Sequence, residues 1–252
     1  MINGKTLILR FSSLGDVVMT VPIIRSLETK YPEKKFIFVT RPKFKPFLSE
    51  FNNVETFELD LKKRHKGFFG LFRLFLDLKK LKPKRIADLH SVLRTKILLL
   101  LFRLFFVKVS VIDKKRQERK ALTRNHNKIF KPLTPVHFLY QEVFNKLGFS
   151  IDLTKDHIYP PSKTFNLNLD SINIGSDTLV GIAPFAKHEA MMYPLDLMQK
   201  IVSYIQEKHV VFLFGFGKIE METIKDGQMF LKMFIHVMIW VVLKMKLLLY
   251  LI

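Results

Sequence analysis

The segment that most constrains the fold is ILRFSSLGDVVMTVPIIRSL, which begins at Ile8. It places an apolar strand, a Ser-Leu-Gly-Asp turn and an amphipathic helix in direct succession. This order builds a ligand-binding βα unit, with the ligand at the carboxyl end of the strand. The sequence therefore predicts an α/β fold whose chemistry lies where its strands end.

The alternation of strand and helix continues to residue 147. It predicts strands over 6–10, 35–40, 54–59, 85–89 and 108–112, and helices over 17–30, 43–50, 68–81, 91–105 and 137–147. Strands that alternate with helices form a parallel, doubly wound sheet. We therefore expect a Rossmann-like domain over residues 1–150.

A polar segment with two prolines and little periodicity follows, and it predicts a linker over 151–176. A strand then begins with TLVGIAPFA, a helix covers 195–207, and HVVFLFGFG forms another strand. These elements begin a second α/β domain, which we place at 177–225. Because a sheet of this type normally has about five strands or more, we expect residues beyond 176 to be loosely held.

Residues 226–252 differ from the rest of the chain, because they carry one acidic residue and are almost continuously apolar. This change of composition favours an aberrant hydrophobic tail that arose by a frameshift. The chain would then be truncated and inactive, or nearly so. A membrane helix over 233–252 is the alternative, although Lys244 and Lys246 would each cost roughly 3 kcal/mol near the bilayer centre.

The turn after the first strand contains the strongest candidate for catalysis. Backbone amides of the turn and the start of the helix can hold an anionic group, which places Ser13 and Gly15 near a ligand. Asp16 can act as a general base on a hydroxyl group within hydrogen-bond reach. The alternative is that Asp16 caps a helix that begins at Val17.

Four segments in order, RFSSLGDVVMTVPIIRSLETKYP, DLHSVLRTK, GIAPFAKHEAMMYP and FLFGFGKIE, resemble glycosyltransferase family 9, the ADP-heptose:lipopolysaccharide heptosyltransferases. The resemblance covers about residues 5–225. It implies a GT-B fold, with one complete Rossmann-like domain for a lipid-linked acceptor and the incomplete start of a second for a nucleotide sugar. It also implies transfer of heptose or a related sugar from an ADP-sugar, with inversion and with no metal or other cofactor.

The resemblance assigns roles to individual residues. It implies that Asp16 is the catalytic base and that Ala186 and Lys187 contact the donor diphosphate, with a solvated loop lysine as the alternative for Lys187. Gly215 and Gly217 fit a turn that lets the backbone approach the nucleotide. The chain departs from the family after Gly217, where an Asp-x-Gly-x-x-His-like loop that grips the diphosphate is expected and is not found.

The acceptor side is predicted from residues that follow a strand end. His90, Arg94 and Lys96 can face the phosphorylated sugars of a glycolipid acceptor, together with Ser13 and Gly15. For His90 the alternative is a structural histidine with satisfied hydrogen bonds. The sequence contains no cysteine, and no spacing of His, Asp and Glu resembles a metal site.

A net charge of +20 requires an anionic partner. The cations cluster at 62–66, 79–85 and 114–120, and between them lie the apolar segments GFFGLFRLFLDLKKL and TKILLLLFRLFF. This pattern suits an anionic membrane surface better than a nucleic acid, for which no recognised motif is present. Core-facing helices with a solvated basic edge are the other interpretation.

The N-terminus lacks the order of a signal peptide, since Arg10 interrupts the apolar run. Together with the resemblance, this predicts a cytoplasmic protein, peripheral on the inner face of the bacterial inner membrane. Two other classes stay open: a non-catalytic, basic membrane-surface protein and, on net charge alone, a nucleic-acid-binding protein.

Overall fold

A computed structural model of the chain describes residues 4–156, 179–186, 188–215, 220 and 222–223. Contacts along the backbone divide the chain into two units, Met1–Tyr159 and Pro160–Ile252. The predicted tail over 226–252 and most of the predicted linker lie outside the described residues. The boundaries predicted at 176/177 and 225/226 therefore stay predictions.

Five parallel strands form the sheet of the first unit, in the spatial order β3-β2-β1-β4-β5. Each lies within one residue of its predicted bounds: β1 (Thr6–Leu9), β2 (Phe36–Thr40), β3 (Val54–Glu58), β4 (Arg85–Asp88) and β5 (Lys108–Val111). Ile8 of β1 lies between Phe38 of β2 and Ala87 of β4. The strand order reverses at β1, so its carboxyl end borders the crevice where α/β sheets bind ligands.

The central strands are buried on both faces, as the continuous apolar runs of parallel strands require. Every residue of β1 and β2 is buried, whereas the edge strands β3 and β5 expose part of their side chains. The apolar sequence of β1 therefore determines its place at the centre of the sheet.

Seven helices surround this sheet in the described part of the first unit, together with a 3-10 helix, Pro42–Leu48. They are α1 (Leu14–Val18), α2 (Val21–Lys30), α3 (Gly67–Lys80), α4 (Leu93–Arg103), α5 (Arg116–Thr123), α6 (Val136–Lys146) and α7 (Leu153–Asp156). One core cluster joins α3 and α4 to Leu7 and Leu9 of β1. On the opposite face α2 contacts α6 and α7, and Phe36 of β2 packs on Phe149.

The single helix predicted over 17–30 is wrong, because the structure has two. α1 already begins at Leu14, and α2 begins at Val21. Pro22 has no N–H to donate to the preceding turn, which suits the start of a helix but not its interior. The Thr20 hydroxyl instead donates to the Val17 carbonyl at 2.6 Å and terminates α1.

Packing of the first unit continues into the predicted linker. The Asn145 side chain in α6 bonds both the N–H and the carbonyl of Ile151, and the Leu153 N–H donates to Gln141. Ile151 and Leu153 are buried. Residues 151–156 therefore belong structurally to the first unit.

The helix α5 was not predicted from the sequence.

The described part of the second unit is one βαβ element. β6 (Leu179–Ile182) pairs in parallel with β7 (Val210–Leu213), and α8 (Leu195–Ile205) connects them after a short 3-10 helix, Glu189–Met191. Val202 of α8 packs against Val211 and Leu213. These elements match the strands and helix predicted for this region. None of the helices in the described ranges of either unit is long and apolar enough to cross a membrane.

Two leucines of α4 can be substituted to test the core packing of α3 and α4 on the sheet. Leu98 is fully buried, and Leu100 is 60% exposed on the outer face. We expect Leu98→Ala to lower the free energy of unfolding by about 2–5 kcal/mol, because a cavity remains. Leu100→Ala, a matched control in the same helix, should change it by about 0.5 kcal/mol or less. Urea unfolding followed by circular dichroism measures both, and equal effects would contradict the packing.

Candidate active site

A buried arginine occupies the position directly after β1. Arg10 is 7% exposed, and its Nη1 donates to the Leu89 carbonyl, just beyond β4, at 2.6 Å. Its Nη2 forms an ion pair with Oδ2 of Asp16. A buried guanidinium is costly unless it is paired and hydrogen-bonded. Arg10 therefore connects the turn after β1 with the turn after β4.

Asp16 lies in the first turn of α1 and is held from three directions. Its Oδ2 accepts hydrogen bonds from the Ser13 N–H at 3.1 Å and the Ser13 hydroxyl at 2.8 Å, in addition to the Arg10 contact. Burial alone would raise the pKa of Asp16, but the Ser13 hydrogen bonds and the Arg10 charge outweigh it and lower the pKa. The carboxylate is therefore ionised at neutral pH.

The predicted alternative, that Asp16 is the cap of a helix starting at Val17, needs correction. Ser13 is the N-cap of α1, and Asp16 is the third helical residue, whose carboxylate accepts from the cap N–H. This reciprocal pairing stabilises the helix start. The side chain is nevertheless 40% exposed, so a capping role and contact with a ligand are compatible. An added Cβ on Gly15 would meet no described atom within 4 Å, which leaves its backbone open to approach.

A second acidic residue organises the neighbouring turn. Asp88 is the last residue of β4 and is fully buried, and its Oδ1 accepts hydrogen bonds from the N–H groups of His90 and Ser91, both at 2.9 Å. Burial raises the pKa of Asp88 despite these bonds. Ser91 has a positive φ of 46°, an uncommon backbone conformation outside glycine. Asp88 therefore holds the turn that presents His90.

His90 is a neutral ring in a cationic setting. Its burial and the charges of Arg10 and Lys114 lower its pKa to about 4. The ring packs on Phe11 at 5.3 Å between centroids, and among the described residues its buried Nδ1 has no hydrogen-bond partner. The alternative of a structural histidine with satisfied hydrogen bonds stays a prediction.

Further residues of the site were not singled out from the sequence. The Lys114 ammonium, after β5, donates to the Ser91 carbonyl at 3.3 Å, and burial lowers its pKa. The buried Tyr140 hydroxyl of α6 donates to the backbone carbonyl of Asp16 at 3.4 Å, and burial raises the Tyr140 pKa to about 12. Arg10 carried a usable signal, since a charge that directly follows a buried apolar strand requires a partner.

An open groove of about 480 Å³ begins at the carboxyl ends of β1 and β4, which form the mouth of the candidate active site. Phe11, Ser12 and His90 line it at the strand ends, and Arg41 and Arg94 line it farther out. Of the five predicted acceptor residues, His90 and Arg94 line this groove, whereas Ser13, Gly15 and Lys96 do not. Lys96 instead borders a second groove, of about 540 Å³, with Ser91 and Lys114. The two grooves lie on either side of the start of α4.

The predicted donor residues are only partly described. Ala186 follows β6 and Gly215 follows β7, and because these strands are parallel neighbours, both residues lie at the same edge of their sheet. Lys187 and Gly217 lie outside the described residues. In the parts of both units that the structure describes, no three His, Asp or Glu side chains come together in a group that could hold a metal ion.

Comparison with known proteins identifies the fold. No protein-family model matches the sequence, and no curated protein matches it. A glycosyl transferase of family 9 from Veillonella parvula is structurally similar, with a TM-score of 0.65 and 20% identity over 90% of this chain and 67% of that one. E. coli heptosyltransferase WaaC with ADP is similar with a TM-score of 0.58 and 17% identity, over 88% and 70%.

The same E. coli enzyme with ADP-2-deoxy-2-fluoro heptose has a TM-score of 0.55 and 16% identity, over 88% of this chain and 72% of that one. The present chain thus spans about two thirds of these structures. The α/β, GT-B-type fold predicted from the sequence is confirmed, and so is the resemblance to family 9 as a structural similarity. At these identities the similarity shows the fold alone.

The Ser13 hydroxyl tests how the Asp16 carboxylate is held. We expect Ser13→Ala to raise the pKa of Asp16, because one of the hydrogen bonds that stabilise the ionised form is lost. Thr154→Ala is a matched control, since the Thr154 hydroxyl donates to Asp152 at 2.6 Å and should change only the Asp152 pKa. Carboxyl NMR titration measures both sites. An unchanged Asp16 pKa in the serine variant would contradict the geometry.

His90 predicts a pH dependence of stability. The unfolded chain binds a proton on this ring near pH 6.5 and the folded chain only near pH 4, so stability is lost as the pH falls through this window. We expect the free energy of unfolding to fall by roughly 2 kcal/mol over this window, a figure that already allows for the partial exposure of the ring. His90→Gln should flatten the dependence by that amount in urea unfolding. Parallel pH curves for both proteins would refute the assignment.

Proposed function

We propose that this chain is built as an inverting glycosyltransferase that moves a sugar from a nucleotide diphosphate to a hydroxyl of an acceptor bound by the first unit. The observation that carries the proposal is the Asp16 carboxylate, held by Ser13 and Arg10 at the carboxyl end of β1. It lies at the topological switch point, four residues after Ser12, which lines a groove together with the cations Arg41 and Arg94. The fold shared with glycosyltransferases supports the same proposal.

In the proposed reaction Asp16 takes the proton of the acceptor hydroxyl while that oxygen attacks the anomeric carbon. The bond from this carbon to the diphosphate breaks on the opposite side, which inverts the centre. The lowered pKa of Asp16 keeps it ionised, although it also weakens the carboxylate as a base. His90 is neutral at pH 7 and in this scheme packs against the acceptor without gaining charge.

For the substrates, we propose an ADP-sugar, heptose or a close relative, and a phosphorylated glycolipid of the lipopolysaccharide core. E. coli WaaC, which shares the fold, was solved with ADP and with a fluorinated ADP-heptose. Arg10, Arg41 and Lys114 all act electrostatically on His90, and this charge suits an acceptor that carries phosphate. Ala186, Lys187, Gly215 and Gly217 are the proposed donor contacts, and the proposed transfer needs no metal.

The test is single-turnover transfer with the 252-residue protein in excess over the donor, so that slow reaction is still detected. ADP-heptose and de-acylated lipopolysaccharide core are mixed with the protein, and the product is followed by mass spectrometry. We expect Asp16→Asn to reduce the rate by about 10²–10⁴-fold, as for loss of a general base. Asparagine retains a side-chain oxygen for Ser13, so the fold should persist.

Calorimetric binding of the core is the control for this experiment. Equal acceptor affinity of the two proteins, with transfer only in the unsubstituted chain, supports the assigned role of Asp16. Binding of the core without any transfer would contradict the enzymatic proposal and favour a non-catalytic glycolipid-binding protein. The sequence predicts a chain that is inactive or nearly so, and the proposal made here corresponds to the second case, slow transfer that a single turnover detects.

A further inference from the structure

Two adjacent helices of the first unit expose an extended set of apolar side chains. α3 exposes Phe68, Phe69 and Phe72, α4 exposes Leu93 and Leu100, and the exposed Leu104 directly follows α4. Phe69 is 82% exposed and Leu104 69%. Single exposed apolar residues are ordinary on a protein surface, but a contiguous group of large ones indicates an interaction site. We call the outer side of α3 and α4 the apolar-basic face.

The two helices form one surface because they pack against each other. The rings of Phe75 in α3 and Phe102 in α4 are 5.0 Å apart, edge to face. Beyond the end of α4, the Phe105 ring lies 5.8 Å from Phe75, and the Lys79 ammonium lies 3.6 Å from the centroid of the Phe105 ring. The exposed side chains of α3 and α4 are thus carried on one rigid layer above the sheet.

Exposed cations lie between these apolar side chains. Arg73 and Lys80 project from α3, and Lys96 and Arg103 from α4. Residues 67–106 contain nine Lys and Arg but only two acidic residues. Of these two, Asp88 is buried and Asp77 is held by Arg64 at 2.8 Å. The face therefore presents cations and apolar groups with no exposed carboxylate.

We propose that the apolar-basic face docks the protein on an anionic lipid bilayer. Apolar side chains that alternate with Lys and Arg suit the boundary between headgroups and acyl chains, where the rings are buried and the cations meet lipid phosphates. A protein partner fits less well, because interface cores are depleted of lysine. A second copy fits poorly too, since two such faces would bring like charges together.

The face continues to the mouth of the candidate active site. Phe68 at the start of α3 and Leu93 at the start of α4 are each 74% exposed, and both line the groove that contains His90 and Ser12. A substrate anchored in the bilayer would therefore enter the groove from the docked side. This orientation rests on the proposed function, whereas the docking itself does not.

The experiment is co-sedimentation of the full-length chain with lipid vesicles that contain no sugar. We compare vesicles of phosphatidylcholine alone with vesicles carrying about 30% phosphatidylglycerol, at about 0.1 M and about 0.5 M NaCl. We expect at least about tenfold stronger binding to the anionic vesicles at low salt. Phe68→Ser, Phe69→Ser and Phe72→Ser together should weaken this binding about tenfold or more, with an unchanged circular dichroism spectrum.

A matched pair of double variants tests whether vesicle binding depends on this face or only on the net charge of the protein. Lys80 in α3 and Lys155 in α7 are alike, since each lies 3.8 Å from an aspartate three residues earlier and is 78% or 81% exposed. Lys80→Gln with Arg103→Gln should weaken vesicle binding about tenfold or more. Lys155→Gln with Lys146→Gln, on helices of the opposite side of the sheet, removes the same charge and should change it less than about threefold.

Three outcomes would overturn the proposal. Equal loss in both charge pairs would mean that binding follows net charge alone. Unchanged binding in the triple phenylalanine variant would assign it to other residues, such as the apolar segment 226–252. A dimer in solution that the triple variant dissociates would make a second copy the partner. Because the vesicles contain neither donor nor acceptor, none of these outcomes bears on glycosyl transfer.

Discussion

The central position of β1 is the constraint on which the candidate site depends. Because β1 lies between β2 and β4, the turns that follow β1 and β4 face each other across the switch point. Arg10 leaves β1 in a buried position, where its guanidinium must find partners to offset the cost of burial. It finds them in the Leu89 carbonyl and the Asp16 carboxylate, so one side chain sets the spacing between both turns.

The electrostatic environment of the site gives Asp16 and His90 different charge states at neutral pH. The surrounding donors and positive charge lower the pKa of Asp16, and burial together with the same cations lowers that of His90. At neutral pH the aspartate is therefore charged and the histidine is not. A carboxylate tied to a guanidinium is a weak base, and it becomes stronger only when a bound hydroxyl displaces one of its donors. In the proposed transfer this suits proton removal late in the attack, because the diphosphate leaving group makes the anomeric carbon reactive.

Much of the fold could be predicted from the sequence, because the strands of a parallel sheet are continuous apolar runs whose ends are clear. Helix limits were harder, since the break between α1 and α2 depends on Pro22 and on one hydroxyl contact of Thr20. Asp16 was predicted from its turn, whereas Arg10 and Lys114 act through long-range contacts that sequence spacing does not reveal. The sequence grouped Lys96 with His90 because they are neighbours in the chain, but they border different grooves.

The inner and outer sides of α3 and α4 have different physical roles. Their inner sides complete the core on β1, through Leu74, Leu98 and Phe102, and this packing makes the helices rigid. Rigidity is what allows their outer sides to keep phenylalanines and leucines in water without rearrangement, since an apolar side chain on a mobile segment would instead find cover. The same rigidity fixes Phe68 and Leu93 at the rim of the groove. The proposed bilayer-binding surface and the proposed acceptor groove therefore share one pair of helices, and the core between these helices and the sheet supports both.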